Sequence, residues 1–236
     1  MKLIRIFTAI MLLVSLGQAE STTTGKKLLK PDSKKQTRKL PAWMLQDEFT
    51  VSTVDGKRIH LLSTKKGYTF DDGEGKITLL VVWKMDCKSC PKWLEEIEAL
   101  QKAFPDKIKV VALEMGNTQK KQLEKLVKQK KATKQATKKI IEKNESAIRV
   151  FAKKHHLSFP IISVLSNQGN LAFTMQTLYK YQFYKPRGKA KRGGGLPFTV
   201  VFGYEGQTAG ITAGISDKKA YKAYIKKLIT HYDKTN

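Results

Sequence analysis

Two largely apolar runs on either side of one amphipathic stretch constrain this chain most tightly. Lys76–Trp83 (KITLLVVW) and Lys107–Glu114 (KIKVVALE) lack the alternation of a half-exposed strand and read as strands buried on both faces. Between them, Leu94, Ile97, Leu100 and Phe104 recur at helical spacing. Glu95, Glu96 and Glu98 take the other side, and Pro105 supplies the stop. Strand, helix and strand with short connections make a βαβ unit, which demands parallel strands and an α/β sheet.

The remaining segments extend that sheet. Phe49–Val54 and Arg58–Leu62 read as a hairpin across Asp55-Gly56. Phe159–Ser163 is a further short strand, and Leu171–Leu178 a short helix. Phe198–Phe202 and Gln207–Thr212 form a second hairpin pattern around Tyr204-Glu205-Gly206. Asp217–Tyr232 closes the chain as an amphipathic helix that turns Tyr221, Tyr224, Ile225, Leu228 and Ile229 inward. Asn117–His156 reads mainly as helix. It carries ten Lys and three Glu between Asn117 and Ala147, over a thin apolar stripe of Leu123, Leu126, Val127, Ile140 and Ile141.

Ahead of the folded region lie two segments of different character. Leu3–Leu16, with Lys2 and Arg5 at its start and Gly17-Gln18-Ala19 after it, has the pattern of a secretory signal peptide over residues 1–19. At roughly 14 residues the run is shorter than the ~20 a spanning helix needs. Residues 20–40 hold seven Lys/Arg and almost nothing apolar, the composition of a solvated basic linker. The expected domain is 41–236, with a basic helical insertion at about 117–147 and a basic loop at about 179–195. Cleavage near Ala19 implies a periplasmic or otherwise extracytoplasmic protein, whose cysteines meet an oxidising compartment.

Those cysteines number two, Cys87 and Cys90, and they stand where the first buried strand gives way to the amphipathic helix. Helix-terminal N–H groups and the neighbouring Lys88 both favour thiolate at Cys87, and the spacing lets Cys90 resolve a mixed disulfide formed there. C-x-x-C in this strand-to-helix setting is a redox pattern. Two competitors stand beside it. An inert disulfide closing so short a loop constrains little unfolded-chain entropy. A metal site would have to recruit His60, His155, His156 or His231, which show no ligand spacing.

Trp83 through Cys90 (WKMDCKSC) resembles the thioredoxin active site, and Leu196-Pro197-Phe198-Thr199 ahead of a strand extends the likeness. The exported TlpA-like branch is similar over roughly residues 46–232, through the Asp55-Gly56 hairpin and Phe151–Pro160. The resemblance implies a thioredoxin-like α/β fold: a central mixed sheet flanked by helices, with an N-terminal hairpin. It also implies a cis Pro197 beside the cysteine pair. Cys87 and Cys90 are then the catalytic couple, Leu196, Pro197 and Trp83 the substrate-binding residues, and Lys88 the pKa-tuning neighbour. Trp83 equally suits a plain core aromatic. No metal and no diffusible cofactor is implied, because the redox couple is the internal disulfide.

Two positions depart from the family. Val81 stands where thioredoxin carries a buried Asp, and Trp93 where the branch that reduces apocytochrome c often carries a Glu. Proton transfer is left to Glu95, Glu96 or water. The implied activity is thiol–disulfide exchange with cysteine-containing protein substrates, as a reductase, with a membrane redox partner supplying electrons. The alternatives are a non-catalytic cationic binding module on the same scaffold, or a copper or zinc carrier using the cysteine pair.

Charge bears on that choice. The chain has a formal net charge of +25. Tyr179, Tyr181, Phe183 and Tyr184 among the basic residues of 179–195 invite a nucleic-acid reading by phosphate neutralisation and base stacking. Lysine dominates over arginine in the 117–147 segment and export removes most such partners, which disfavours nucleic acid. Solvated helix faces account for most of the charge, with an anionic membrane surface or an acidic partner as the alternative.

Overall fold

A computed structural model describes residues 48–64, 68–116, 118–129, 131, 133–167, 196–213 and 217–235. The expected signal peptide, the 20–40 linker, the Leu171–Leu178 helix and the 179–195 loop lie outside them.

β4 (Ile77–Trp83) is buried at every position, because both its edges and both its faces are covered. It follows β1 (Glu48–Ser52), β2 (Arg58–Ser63) and β3 (Tyr68–Phe70), and leads into α1 (Cys90–Ala103) and β5 (Ile108–Glu114). α2 (Thr118–Lys128), α3 (Lys134–Lys154), β6 (Ile161–Ser163), β7 (Phe198–Phe202), β8 (Thr208–Ala213) and α4 (Lys218–Thr235) complete the order. The main sheet runs β6-β5-β4-β7-β8. β4 pairs in parallel with β5, from Ile77↔Ile108 to Trp83↔Glu114, as the βαβ reading requires. It pairs antiparallel with β7, from Thr78↔Phe202 to Val82↔Phe198. A mixed five-stranded sheet with helices packed on it is the thioredoxin-like architecture.

The two-residue period of a strand divides the core. Ile77, Leu79, Val81 and Trp83 face Trp93, Leu94 and Ile97 of α1, Ile148 of α3 and Ile225 of α4. Leu80 and Val82 face the other way, toward Val51, Ile59, Leu61 and Phe70 of a second, antiparallel sheet, β1-β2-β3. The expected hairpin thus proves to be three-stranded, since Tyr68–Phe70 adds an edge too short to declare itself by pattern. Gly56 sits at φ 80° in the first hairpin and Gly206 at φ 82° in the second, backbone that glycine adopts without strain. Val54 N donates to Ile161 O at 2.8 Å, tying the small sheet to the edge of the large one.

The single helix expected over 117–156 is two. The Thr133 side chain accepts from Ala136 N at 3.1 Å and starts α3 afresh after the lysine-rich 128–131 stretch. Leu123, Ile140, Val164 and Leu165 close a small satellite core beneath α2 and the first half of α3. The second half of α3 turns Ile148 into the main core. Every lysine whose side chain is described between 121 and 154 is exposed, the solvated face that the composition implies.

Candidate active site

The site forms where β4 ends. After Trp83 the backbone turns tightly: Cys87 N donates to Lys84 O at 3.2 Å and Cys90 N to Cys87 O at 3.2 Å. α1 begins at Cys90, with Pro91 in its first turn, where a missing N–H costs nothing and a fixed φ helps. Cys87 therefore stands just ahead of the helix rather than within it. The two cysteines are joined in a disulfide with their Cα atoms 5.4 Å apart. They are not equivalent. Cys90 is 0% exposed and belongs to the core, whereas Cys87 is half-buried at its edge.

Register brings the second part of the site into place. Phe198 pairs with Val82, so Leu196 and Pro197, just before it, overrun the end of β4 toward the cysteines. The Leu196–Pro197 peptide bond is cis. Ser89 Oγ approaches both sides, 3.5 Å from Cys87 Sγ and 3.5 Å from the Leu196 carbonyl oxygen. Sequence reading treats Ser89 as a spacer. Its only local signal is a hydroxyl residue at a helix start, yet its side chain makes no capping bond and turns to the sulfur instead.

Trp83 does not reach the surface. It is 0% exposed, packed in the core at the end of β4 with its ring centroid 4.7 Å from that of Phe151. Lys88 is exposed beside Cys87. Glu95 is paired with His155 Nδ1 at 2.8 Å, and Glu96 with Lys218 Nζ at 2.6 Å. Both carboxylates offered for proton transfer are therefore engaged by polar side chains, Glu95 by the His155 ring and Glu96 by the Lys218 ammonium.

Behind Cys90 lies a neutral polar row that the sequence did not disclose. Trp93 Nε1 donates to Thr199 Oγ1 at 3.0 Å, both side chains buried. Thr199 is the register partner of Val81 on one side and of Thr212 on the other. Burial pushes the Tyr221 hydroxyl well above its ordinary pKa, with the Thr199 and Thr212 hydroxyls opposing that shift. Val81 and Trp93, the two positions where the sequence departs from the pattern it resembles, thus meet at one place, with Thr199 between them. Two buried carboxylates lie elsewhere. Glu98 accepts from Ser158 N at 2.9 Å and Ser158 Oγ at 2.7 Å, and Glu114 accepts from Asn144 Nδ2 at 3.4 Å. Among the described residues no group of three or more His, Cys, Asp or Glu is placed to hold a metal ion.

No family model matches the chain. It is 28% identical over 115 residues to the thioredoxin-like protein YneN of Bacillus subtilis (strain 168), covering 49% of each chain. It thus spans about half the length of that relative. Among solved structures it is similar to StoA from Bacillus subtilis, with TM-score 0.42, 16% identity, and 75% of this chain and 95% of that one covered. It is also similar to a secreted Mycobacterium tuberculosis disulfide oxidoreductase homologous to E. coli DsbE, with TM-score 0.43, 14% identity, and 80% and 100% covered.

Proposed function

We propose that this thioredoxin-like chain is a thiol–disulfide oxidoreductase, working on protein substrates outside the cytoplasm through the Cys87–Cys90 couple. The observation that carries the reading is the asymmetry of the pair. A half-buried Cys87 is bonded to a fully buried Cys90, beside the backbone of a cis Leu196–Pro197.

In the reducing direction the Cys87 thiolate attacks a substrate disulfide. A Cys87–substrate bond forms, the substrate S–S bond breaks, and one substrate thiolate leaves. The Cys90 thiolate then attacks the Cys87 sulfur, closes the internal disulfide and expels the second substrate thiolate, so that two electrons pass to the substrate. Leu196 and Pro197 present backbone to the substrate chain, and Lys88 favours the Cys87 thiolate. A membrane thiol partner returns the electrons, in keeping with the export pattern of residues 1–19. The internal couple is sufficient for the exchange, so no diffusible cofactor takes part.

Cys90→Ala tests this. Incubated with disulfide-bonded proteins, it accumulates Cys87-linked mixed disulfides, visible as reducible adducts by mass spectrometry. A cationic binding module would retain its partners non-covalently, and absence of adducts would sink the proposal. The reduction potential sets the direction: a value near thioredoxin's ~−270 mV supports reduction, one near DsbA's ~−120 mV oxidation.

A further inference from the structure

We infer that the site selects substrates whose reactive cysteine lies in an acidic segment, an inference that rests on the exchange reading above. Three lysines, Lys84, Lys88 and Lys92, stand within five residues of Cys87, in the turn that holds it and the first turn of α1. Lys84 accepts the Cys87 N–H on its backbone carbonyl at 3.2 Å, so it shares the turn that holds Cys87. Lys88 follows Cys87 directly and is exposed, and Lys92 is exposed in the first turn of α1.

Several lysines elsewhere are paired with acids, and among the described residues these three are not. Lys102 pairs with Glu98, Lys107 with Asp233, Lys109 with Asp72 and Lys218 with Glu96. No ion pair joins Lys84, Lys88 or Lys92 to an acid among the described residues. The acids that α1 brings nearest, Glu95 and Glu96, are held by His155 and Lys218. Asp86 is the one opposing charge in the turn. Around Cys87 this leaves two positive charges in excess, on a chain whose net charge of +25 steers in the same sense.

A cysteine flanked by Asp or Glu approaches such a surface down a favourable potential, and a cysteine flanked by Lys or Arg climbs one. Charge complementarity of this kind acts on association and on choice of partner more than on final affinity. The lysines are therefore specificity-determining, and any effect of Lys88 on the Cys87 thiolate is common to all three peptides and cancels in their ratio. Reduced protein supplies the two electrons in a single turnover, so no further reductant enters the test.

The probes are three short peptides, each with one cysteine blocked as its 2-mercaptoethanol mixed disulfide and flanked by two Asp, two Ser or two Lys. Rates with reduced protein are measured by stopped flow and normalised to the same peptides reacting with dithiothreitol, which removes differences in leaving-group reactivity. At about 20 mM salt the Asp peptide reacts roughly tenfold faster than the Lys peptide, and the ratio falls toward unity at about 0.5 M. The triple variant Lys84→Gln, Lys88→Gln, Lys92→Gln collapses the low-salt ratio, and Lys88→Gln alone lowers it.

A wild-type low-salt ratio below about two, or one that the triple variant leaves unchanged, overturns the inference, since a specific lysine effect must exceed the general field of the molecule. Failure of the Ser peptide to react at all overturns the exchange reading itself, and is distinguishable because charge plays no part in it.

Discussion

Replacing Thr199 by valine keeps nearly the same shape and removes one oxygen, and the structure gives that oxygen a definite task. Thr199 is 0% exposed and accepts the Trp93 indole N–H at 3.0 Å. Without the acceptor, a donor that is 1% exposed is left with neither protein nor solvent to bond. Leaving such a donor unsatisfied costs about 1–3 kcal/mol. Burying a methyl in place of a hydroxyl returns roughly 0.8 kcal/mol. The net expectation is about 0.2–2.2 kcal/mol of lost stability with its middle near 1, which lowers the urea midpoint by roughly 0.5 M at an m-value near 2 kcal/mol/M.

Trp93→Phe and the double variant complete a cycle in which the pair shows a coupling of about 1 kcal/mol. Urea unfolding of the disulfide-intact protein, followed by tryptophan fluorescence and by circular dichroism, is the assay. Thr199→Val at wild-type stability, or a strictly additive cycle, refutes the reasoning. The bond joins α1, one turn past Cys90, to β7, just past Pro197. Loosening it should therefore slow exchange with protein disulfides more than with hydroxyethyl disulfide.

Three further expectations follow from other parts of the fold. Burial alone would raise the Glu98 pKa, but the Ser158 N–H and hydroxyl and the Lys102 ammonium outweigh it and hold the carboxyl below its ordinary 4.5. Its contribution is therefore complete above that value and is lost as pH falls through the lower folded pKa; Glu98→Gln should flatten the acid limb of a urea-midpoint profile. At Gly203 an added Cβ would run into the Tyr232 phenol and lie 2.8 Å from Gln207 Cδ, so Gly203→Ala should cost about 1–3 kcal/mol and lower the calorimetric Tm by several degrees. Asn144 is 0% exposed and donates to Ser163 Oγ at 3.0 Å as well as to Glu114. Asn144→Leu removes both hydrogen bonds and should destabilise by about 1–3 kcal/mol in chemical denaturation.

What the sequence made legible was whatever repeats along the chain. The two largely apolar runs became β4 and β5 because a strand covered on both faces is mostly apolar, and α1 followed from the spacing of Leu94, Ile97 and Leu100. The cysteine pair and the Leu196–Pro197 bond were legible through resemblance, as fixed local motifs. Contacts between segments distant in sequence were not. Trp93 and Thr199 are 106 residues apart, and Ser89 and Leu196 are 107; only the β4–β7 register brings them together. The break between α2 and α3 was hidden because lysine-rich sequence keeps good helix propensity throughout, and one threonine cap decides the boundary. Trp83 shows the same limit: a tryptophan beside a redox motif suits either surface or core, and only its packing against Phe151 separates the two.

Alkylation of the reduced protein addresses the central claim, that a single accessible sulfur begins the exchange. With iodoacetamide near neutral pH, Cys87 should be modified at least about tenfold faster than Cys90, with a rate midpoint below the ~8.5 of an ordinary thiol. Equal labelling of the two cysteines, or faster labelling of Cys90, would contradict the account.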